Sequence, residues 1–228
     1  MNKIIKRFFD IIFSLVGLII SSPVLLVLAI AVKTTSKGPV IFKQERLGKN
    51  GKTFFMYKFR SMVVNAERMG TGLFNYENDP RVTAVGRFMR DTSLDELPQL
   101  VNVLKGDMSF VGPRPAVTYE LGDYATLNKR YKKRFTVTPG ITGLAQVCGR
   151  NNISWDDKVN YDNEYIDSFK KQGVILDIYI LFRTIVNVFG SKDIYEVPVD
   201  DGDHMMSAEE EEKEIIRRAH APEEGDEL

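Results

Sequence analysis

The sequence predicts an α+β protein that is mainly helical, with a small β-hairpin or sheet and an N-terminal membrane helix. Three observations lead to this prediction. Residues 11–32 form an uncharged apolar run, Asn50-Gly51 separates two segments of strand-like composition, and apolar side chains recur at helical spacing after residue 93. We expect a membrane helix over residues 1–36, one compact domain over residues 37–199 and an acidic tail over residues 200–228.

The apolar run, IIFSLVGLIISSPVLLVLAIAV, contains 22 residues. As a straight helix it would reach about 33 Å, close to the thickness of the hydrocarbon core of a bilayer. Ser22-Pro23 lies at its centre, and a proline inside a helix removes a hydrogen-bond donor and clashes with the preceding turn. We therefore predict that the membrane helix breaks at Ser22 and Pro23, where serine hydroxyls can supply partners to the backbone.

Positive charge flanks the apolar run on both sides, with Lys3, Lys6 and Arg7 before it and Lys33, Lys37, Lys43 and Arg46 after it. Lysine and arginine favour the cytoplasmic side of a membrane. A helix that enters the bilayer and returns to the same face satisfies both flanks, so we favour re-entrant insertion. The alternatives are a single-pass anchor and a cleaved signal peptide, although the latter lacks a small-residue cleavage site before the next charged stretch.

Residues 39–62 are predicted to form a β-hairpin. Two segments, PVIFKQERLG and KTFFMYKFRSM, flank Asn50-Gly51, which is a favoured tight-turn pair. In the second strand, Lys58 and Arg60 are expected on one face and the aromatic residues Phe55, Tyr57 and Phe59 on the other.

The remainder of the domain is predicted to be mostly helical. We expect a short helix over residues 83–90 and a longer one from Ser93 to Gly106, in which Pro98 kinks or shifts the start. Residues 116–134 have the pattern of a helix with a strongly basic end, at which either a solvated face or attraction to anionic lipid is expected. Residues 174–189 are expected to form an interfacial amphipathic or core helix, because charged residues interrupt their apolar run.

The positions of histidine and cysteine exclude several classes of catalytic site. His204 and His220 both lie in the tail, and Cys148 is the single cysteine. The body of the chain therefore cannot build a Ser-His-Asp triad, a histidine zinc site, a cysteine–histidine pair or an internal disulfide. Any chemistry there must use carboxylates, lysine, arginine and backbone dipoles.

The formal net charge of zero conceals an asymmetry between body and tail. Residues 200–228 contain 12 acids and 3 bases, which leaves 19 acids and 28 bases in residues 1–199. A basic body beside a membrane segment indicates an anionic surface or an anionic substrate. The acidic tail is expected to be a short solvated helix or disordered.

Asp95 and Glu96 form the first candidate site, and two interpretations of them are compatible. Ser93 and Glu96 have the spacing of a capping box, and acids in a first helical turn complement the helix dipole. Alternatively, a carboxylate at a helix N-terminus near several cations can act as a nucleophile or bind a metal ion. One residue can cap while its neighbour reacts.

Arginines in loops defined by glycine and proline form the second candidate site. Arg90 precedes the acid pair, Arg114 lies in GPRP, and Arg150 lies in CGRNN. An arginine between two prolines has a constrained backbone, and its guanidinium suits bidentate binding of phosphate. Phosphoryl transfer needs mainly positioning and charge neutralisation, which carboxylates, a metal ion, lysine and arginine can supply. The glycines of PGITG would also let backbone amides approach an anion.

Three motifs make the chain resemble a known family. YKFRSM (57–62), DTSLDELPQLVNVLKGDMSFVGPRP (91–115) and PGITGLAQVCGRN (139–151) follow a proline-containing membrane helix. In this order they resemble the small monotopic bacterial sugar transferases, which are polyprenyl-phosphate phosphoglycosyl transferases. The resemblance runs from about residue 3 to residue 190.

The resemblance implies transfer of a phospho-sugar from a UDP-sugar to polyprenyl phosphate, with release of UMP. Asp95 matches the nucleophile that forms a phospho-sugar–aspartyl intermediate, and Glu96 matches its partner acid; both are associated with Mg²⁺. Lys58, Arg90, Arg114 and Arg150 match phosphate-binding positions, and Ser22-Pro23 matches the helix-breaking pair. The implied location is monotopic, in contact with membrane lipids at the cytoplasmic face of the bacterial inner membrane.

Some features of the sequence leave other outcomes open. Leu144 and Cys148 stand where relatives often have tryptophan and asparagine, which bears on the preferred sugar. An alternative from a different class is a non-catalytic, membrane-associated nucleotide-binding or assembly protein. The sequence allows a homodimer without requiring one, and we expect no nucleic-acid partner.

Overall fold

The structure, a computed structural model, describes residues 2–66, 69, 79–149 and 153–189. Seven α-helices are found in these residues: α1 (Asn2–Thr35), α2 (Ala84–Asp91), α3 (Gln99–Lys105), α4 (Lys129–Lys133), α5 (Leu144–Cys148), α6 (Trp155–Gln172) and α7 (Val174–Phe189). The same residues contain four strands: β1 (Ile41–Leu47), β2 (Thr53–Phe59), β3 (Ser109–Val111) and β4 (Gly140–Thr142). The predicted mainly helical α+β class is confirmed. The acidic tail lies outside the described residues, and the predicted domain boundaries stay predictions.

The long helix α1 runs from Asn2 to Thr35 and includes Pro23. The break predicted at Ser22-Pro23 stays a prediction. Pro23 has no N–H to donate to the carbonyl of Ile19, four residues earlier. The Ser22 hydroxyl donates to that carbonyl at 2.7 Å, and the Ser21 hydroxyl donates to the Gly17 carbonyl at 2.6 Å. The Ser22 hydroxyl therefore supplies the hydrogen bond that Pro23 cannot donate, and re-entrant insertion stays a prediction.

Helix α1 contacts the rest of the protein near both of its ends. Near its start, Asp10 is buried and accepts hydrogen bonds from the Ser109 hydroxyl and the Phe110 amide at 3.0 and 3.1 Å. Near its end, Leu28 and Val32 are buried against Phe59 of β2 and other apolar residues. Most of the apolar side chains between these contacts are exposed. Within the described residues, α1 alone is long and apolar enough to cross a membrane.

The predicted hairpin is confirmed. Strands β1 and β2 pair antiparallel, from Ile41 opposite Phe59 to Leu47 opposite Thr53. Between them Asn50 and Gly51 both have positive φ, of 58° and 73°, as a tight turn of this kind requires.

A second sheet joins two motifs that are distant in sequence. Strands β3 and β4 pair in parallel, and each has only three residues. The Gly112 amide donates to the Thr142 carbonyl at 2.8 Å, and the Gly140 amide donates to the Pro113 carbonyl at 2.9 Å. A Cβ atom on Gly140 would lie 2.1 Å from the Gly112 nitrogen, so this approach requires glycine. The GPRP and PGITG motifs therefore lie side by side.

Two predicted helices differ from the structure. The helix predicted over residues 116–134 is confined to α4, at Lys129–Lys133. The one predicted from Ser93 becomes a 3-10 turn at Leu94–Glu96 followed by α3, which starts directly after Pro98. The short helix predicted over residues 83–90 is confirmed as α2, with the Thr83 hydroxyl capping the Gly86 amide.

Helix α7 has one buried and one exposed apolar face. Leu176 and Ile180 pack into a core cluster with β3, α5 and α6. Ile178, Phe182 and Ile185 point outward, with Phe182 63% exposed. This pattern agrees with an amphipathic helix, while its placement at a membrane interface stays a prediction.

Candidate active site

Asp95 and Glu96 lie in the tight 3-10 turn that joins α2 to α3. Ser93 opens the turn in the left-handed region, with φ 56°, and makes no side-chain cap. The predicted capping box is therefore wrong. The Asp95 side chain is buried, and the Glu96 side chain is directed to partners from distant parts of the chain.

Glu96 accepts two charge-assisted hydrogen bonds on the same oxygen. Lys58 Nζ from β2 donates at 2.7 Å, and Arg114 Nη2 from the loop after β3 donates at 3.0 Å. Burial alone would favour the neutral acid, but Lys58 and Arg114 outweigh it and hold the pKa of Glu96 well below its usual range. Glu96 is therefore ionised at any physiological pH.

Asp95 has the opposite shift. Burial raises the pKa of Asp95, Lys58 opposes this, and the neighbouring negative charge of Glu96 adds to the rise. Arg90 and Arg114 also favour the ionised form. Two adjacent carboxylates whose environments push their pKa values apart are suited to different roles. The more buried one, Asp95, is the better candidate for reaction, and Glu96 for holding the cations in place.

Three of the predicted basic residues surround this acid pair. Lys58 and Arg114 bind Glu96 directly. Arg90, in the last turn of α2, donates to the Ser61 hydroxyl at 2.8 Å and acts electrostatically on Asp95. Arg150 lies outside the described residues, so its predicted role stays a prediction.

The loop that carries Arg114 is fixed through its backbone. Four consecutive carbonyl groups, those of residues 113–116, each accept a hydrogen bond from a different residue. The donors are the Gly140 amide, Arg134 Nη2, Arg46 Nη1 and the Leu47 amide, at 2.9, 2.7, 2.9 and 2.9 Å. These hydrogen bonds and the two prolines of the loop restrict the backbone at Arg114, and so fix the point from which its side chain extends.

Asn102 is a site-supporting residue that sequence reasoning missed. It is fully buried on α3; its side-chain amide donates to the Phe55 carbonyl at 2.8 Å and accepts from the Tyr57 amide at 3.0 Å. It therefore pairs with the outer edge of β2 as a neighbouring strand would. Lys58 follows on that strand, so Asn102 sets the hairpin against the helix that follows Glu96. In the sequence, a polar residue between two valines could have indicated a buried side chain with hydrogen-bond partners.

Asp95 and Glu96 would supply only part of the ligand set of a Mg²⁺ ion. No group of three or more histidine, cysteine, aspartate or glutamate side chains suited to a metal ion occurs in the described parts of the chain. Magnesium is commonly held by one or two carboxylates, several waters and the phosphates of a substrate. Asp95 and Glu96 fit this arrangement, in which the metal ion would arrive with, or be completed by, a phosphate-bearing substrate.

The fold and the site together define a class: a domain with a long, exposed apolar helix at its N-terminus and an Asp–Glu pair surrounded by cations. Residues 1–191 match the family described as bacterial sugar transferase. The chain therefore belongs to the bacterial sugar transferase family, as its motifs indicated.

Several relatives carry specific names. The undecaprenyl-phosphate galactose phosphotransferase of Salmonella typhimurium is 46% identical over 197 residues, 80% of this chain and 40% of that protein. The UDP-glucose:undecaprenyl-phosphate glucose-1-phosphate transferase of Klebsiella pneumoniae is 47% identical over 199 residues, 85% of this chain and 42% of that protein. The exopolysaccharide production protein ExoY of Sinorhizobium fredii is 38% identical over 204 residues, 83% of this chain and 88% of that protein. The chain thus spans about two fifths of the first two relatives and most of ExoY.

Proposed function

We propose that this protein transfers a phospho-sugar from a UDP-sugar to undecaprenyl phosphate, giving undecaprenyl-diphospho-sugar and UMP. The observation that carries the proposal is the buried Asp95 carboxylate beside an ionised Glu96 that is bound by Lys58 and Arg114. The names of the relatives, which include sugar phosphotransferases acting on undecaprenyl phosphate, support the same reaction. The product is suited to be the first lipid-linked intermediate of a polysaccharide or other glycan.

In the first step, an oxygen of the Asp95 carboxylate attacks the β-phosphorus of the UDP-sugar. The bond between that phosphorus and the oxygen bridging to the α-phosphorus breaks, and the electron pair leaves with UMP. The product is a phospho-sugar–aspartyl intermediate, in which the Asp95 carboxylate is joined to the phosphorus as an acyl phosphate. Asp95 must be ionised to attack, and the nearby cations Lys58, Arg90 and Arg114 favour that form despite burial.

In the second step, a phosphate oxygen of undecaprenyl phosphate attacks the same phosphorus. The bond to Asp95 breaks, the carboxylate is regenerated and the lipid carries a diphospho-sugar. The covalent intermediate avoids bringing two anionic substrates to the site in a single displacement, and it splits one difficult step into two easier ones. No net proton transfer is needed in either step.

The other charged residues of the site bind the phosphates of the substrates or the metal ion. Lys58 and Arg114 bind the phosphates of the donor from the side of Glu96, and Arg90 acts from α2 on the side of Asp95. Asp95 and Glu96 would hold Mg²⁺, which would neutralise charge on the phosphates. Arg150 is assigned to phosphate binding by its motif position alone.

For the membrane, we propose re-entrant, monotopic insertion of α1 at the cytoplasmic face. Residues near both ends of α1 contact the same domain: Asp10 binds β3, and Val32 packs beside Phe59. The basic flanks favour the cytoplasmic side at both ends. The exposed apolar face of α7 would lie at the same interface.

The test is release of UMP by the purified protein in lipid nanodiscs with Mg²⁺, undecaprenyl phosphate and a panel of UDP-sugars. Release that depends on the lipid phosphate and disappears in Asp95→Asn is the expected result. A folded wild-type sample that binds UDP-sugars without releasing UMP from any of them would instead support the non-catalytic alternative.

A further inference from the structure

A buried ion pair lies behind the loop that carries Arg114. Arg134, directly after α4, is 3% exposed, and Asp162 on α6 is 2% exposed. Arg134 Nε lies 3.0 Å from Asp162 Oδ2. The sequence predicts that Arg134 ends a basic helix that faces water or lipid, whereas the structure places it in the interior.

The aromatic surroundings further restrict the Arg134 guanidinium. Its central carbon lies 4.9 Å from the centre of the Trp155 ring and 5.4 Å from that of Phe135. The contact with Asp162 is an ion pair without a hydrogen bond between Nε and Oδ2. The directional bond of this guanidinium is a different one: Nη2 donates to the Arg114 carbonyl at 2.7 Å.

These contacts form a continuous chain from α6 to the acid pair. Asp162 and Trp155 hold Arg134, Arg134 holds the backbone of Arg114, and the Arg114 side chain reaches Glu96 at 3.0 Å. The neighbouring cations of α4 do not share this geometry. Lys133, one residue earlier, pairs with Asp167 at the surface, where the two side chains are 35% and 54% exposed.

We propose that Arg134 is a positioning residue, which fixes the main chain of Arg114 so that its guanidinium meets Glu96 and the donor phosphates, and that Asp162 holds Arg134 for this purpose. This inference rests on the proposed function. Arg134 touches neither the acid pair nor, on this assignment, the substrate. Its effect on turnover passes entirely through Arg114.

The experiment is a double-mutant cycle on kcat for UMP release. One arm is Arg134→Gln with Asp162→Asn, which removes both buried charges together, because one left unpaired would destabilise the fold. Burial already raises the pKa of Asp162 to about 6 against the opposing effect of Arg134, so a neutral residue there suits the site. The other arm is Arg114→Ala, and the third variant combines all three substitutions.

We expect the neutralised pair to lower kcat about 10- to 100-fold in the wild-type background, as small displacements of catalytic groups do. In the Arg114→Ala background the same change should alter kcat by less than about 3-fold, because coupled residues are not additive. If the combined variant loses kcat by the product of the two separate losses, the two changes act independently and the proposal is overturned. Wild-type turnover is measured in the same assay, so absence of the proposed function and absence of the positioning role give different results.

Two further variants guard against a purely structural explanation. Arg134→Lys keeps the charge beside Asp162 but lacks the second nitrogen needed for the Arg114 carbonyl. It should keep the unfolding temperature near that of the wild type and still lower kcat; unchanged kcat would overturn the proposal. Asp167→Asn breaks the exposed ion pair between Lys133 of α4 and Asp167 of α6, and it should leave kcat unchanged.

Discussion

Lys58 Nζ lies 2.7 Å from Glu96 Oε1, across 38 positions of the chain. The hydrogen bond joins the hairpin to the turn before α3, and Asn102 joins the same two elements through the backbone of β2. The charge state of the acid pair therefore depends on how the hairpin packs against α3. Changes at this contact should act on chemistry as well as on folding.

The first prediction concerns the pH dependence of turnover in Lys58→Met. Asp95 must be ionised to attack, so kcat/KM should fall as the pH drops through its raised pKa. Lys58 is the strongest of the groups that lower this pKa, so its removal should move the acidic limb of the profile to higher pH. The measurement is kcat/KM for UMP release over a range of pH.

Lys43→Met is the matched control for this prediction. Lys43 lies on β1 opposite Tyr57, and its side chain is exposed. Its removal takes away one positive charge from the same hairpin without touching Glu96. An acidic limb that shifts equally in both variants, or that moves to lower pH in Lys58→Met, would contradict the assignment.

The second prediction compares two glycines that both lie inside helices. A Cβ atom on Gly86 of α2 would lie 1.8 Å from the Ser61 carbonyl oxygen, which is backbone and cannot turn aside. Gly86→Ala should therefore separate α2 from the end of the hairpin and lower the unfolding temperature by at least about 4 °C.

Gly17→Ala serves as the comparison. Its Cβ atom would meet only the flexible Leu100 side chain, at 3.2 Å, and alanine is the better helix former. The unfolding temperature should stay the same or rise, as measured by differential scanning fluorimetry in nanodiscs. Equal losses in both variants would show that the close approach at Ser61 does not constrain the fold.

The third prediction concerns membrane topology. Single cysteines at Asn2→Cys and Thr34→Cys, in a Cys148→Ser background, report on the two ends of α1 without removing any lysine or arginine. In intact cells both should resist a membrane-impermeant maleimide and react after lysis. Labelling of one end from outside the cell would contradict re-entrant insertion and favour a single-pass anchor.

Much of the local structure followed from the sequence, and the exceptions have physical causes. The Asn50-Gly51 turn and the Thr83 cap are decided by neighbouring residues, so the hairpin and α2 were predictable. Residues 116–128 were predicted to be helical, but the Leu47 amide binds the Ala116 carbonyl and Val117 bridges to Arg46. This contact with β1 keeps Ala116 and Val117 out of a helix.

For the candidate site, the sequence predicted which residues take part but not how they are arranged. The motifs identified Asp95, Glu96, Lys58, Arg90 and Arg114, and the structure brings all five together. The sequence could not show that Glu96 binds cations instead of capping α3. Nor could it place GPRP beside PGITG, because β3 and β4 are only three residues long and give no periodic pattern.

The central claim is that Asp95 carries the phospho-sugar, and isotope exchange tests it most directly. The protein is incubated with a UDP-sugar that it uses, labelled UMP and Mg²⁺, without any polyprenyl phosphate. A covalent intermediate predicts that label appears in the UDP-sugar, and that Asp95→Asn lowers this exchange by at least about 10³-fold while remaining folded. Turnover with the lipid acceptor but no exchange in its absence would contradict the account and indicate direct displacement between the two substrates.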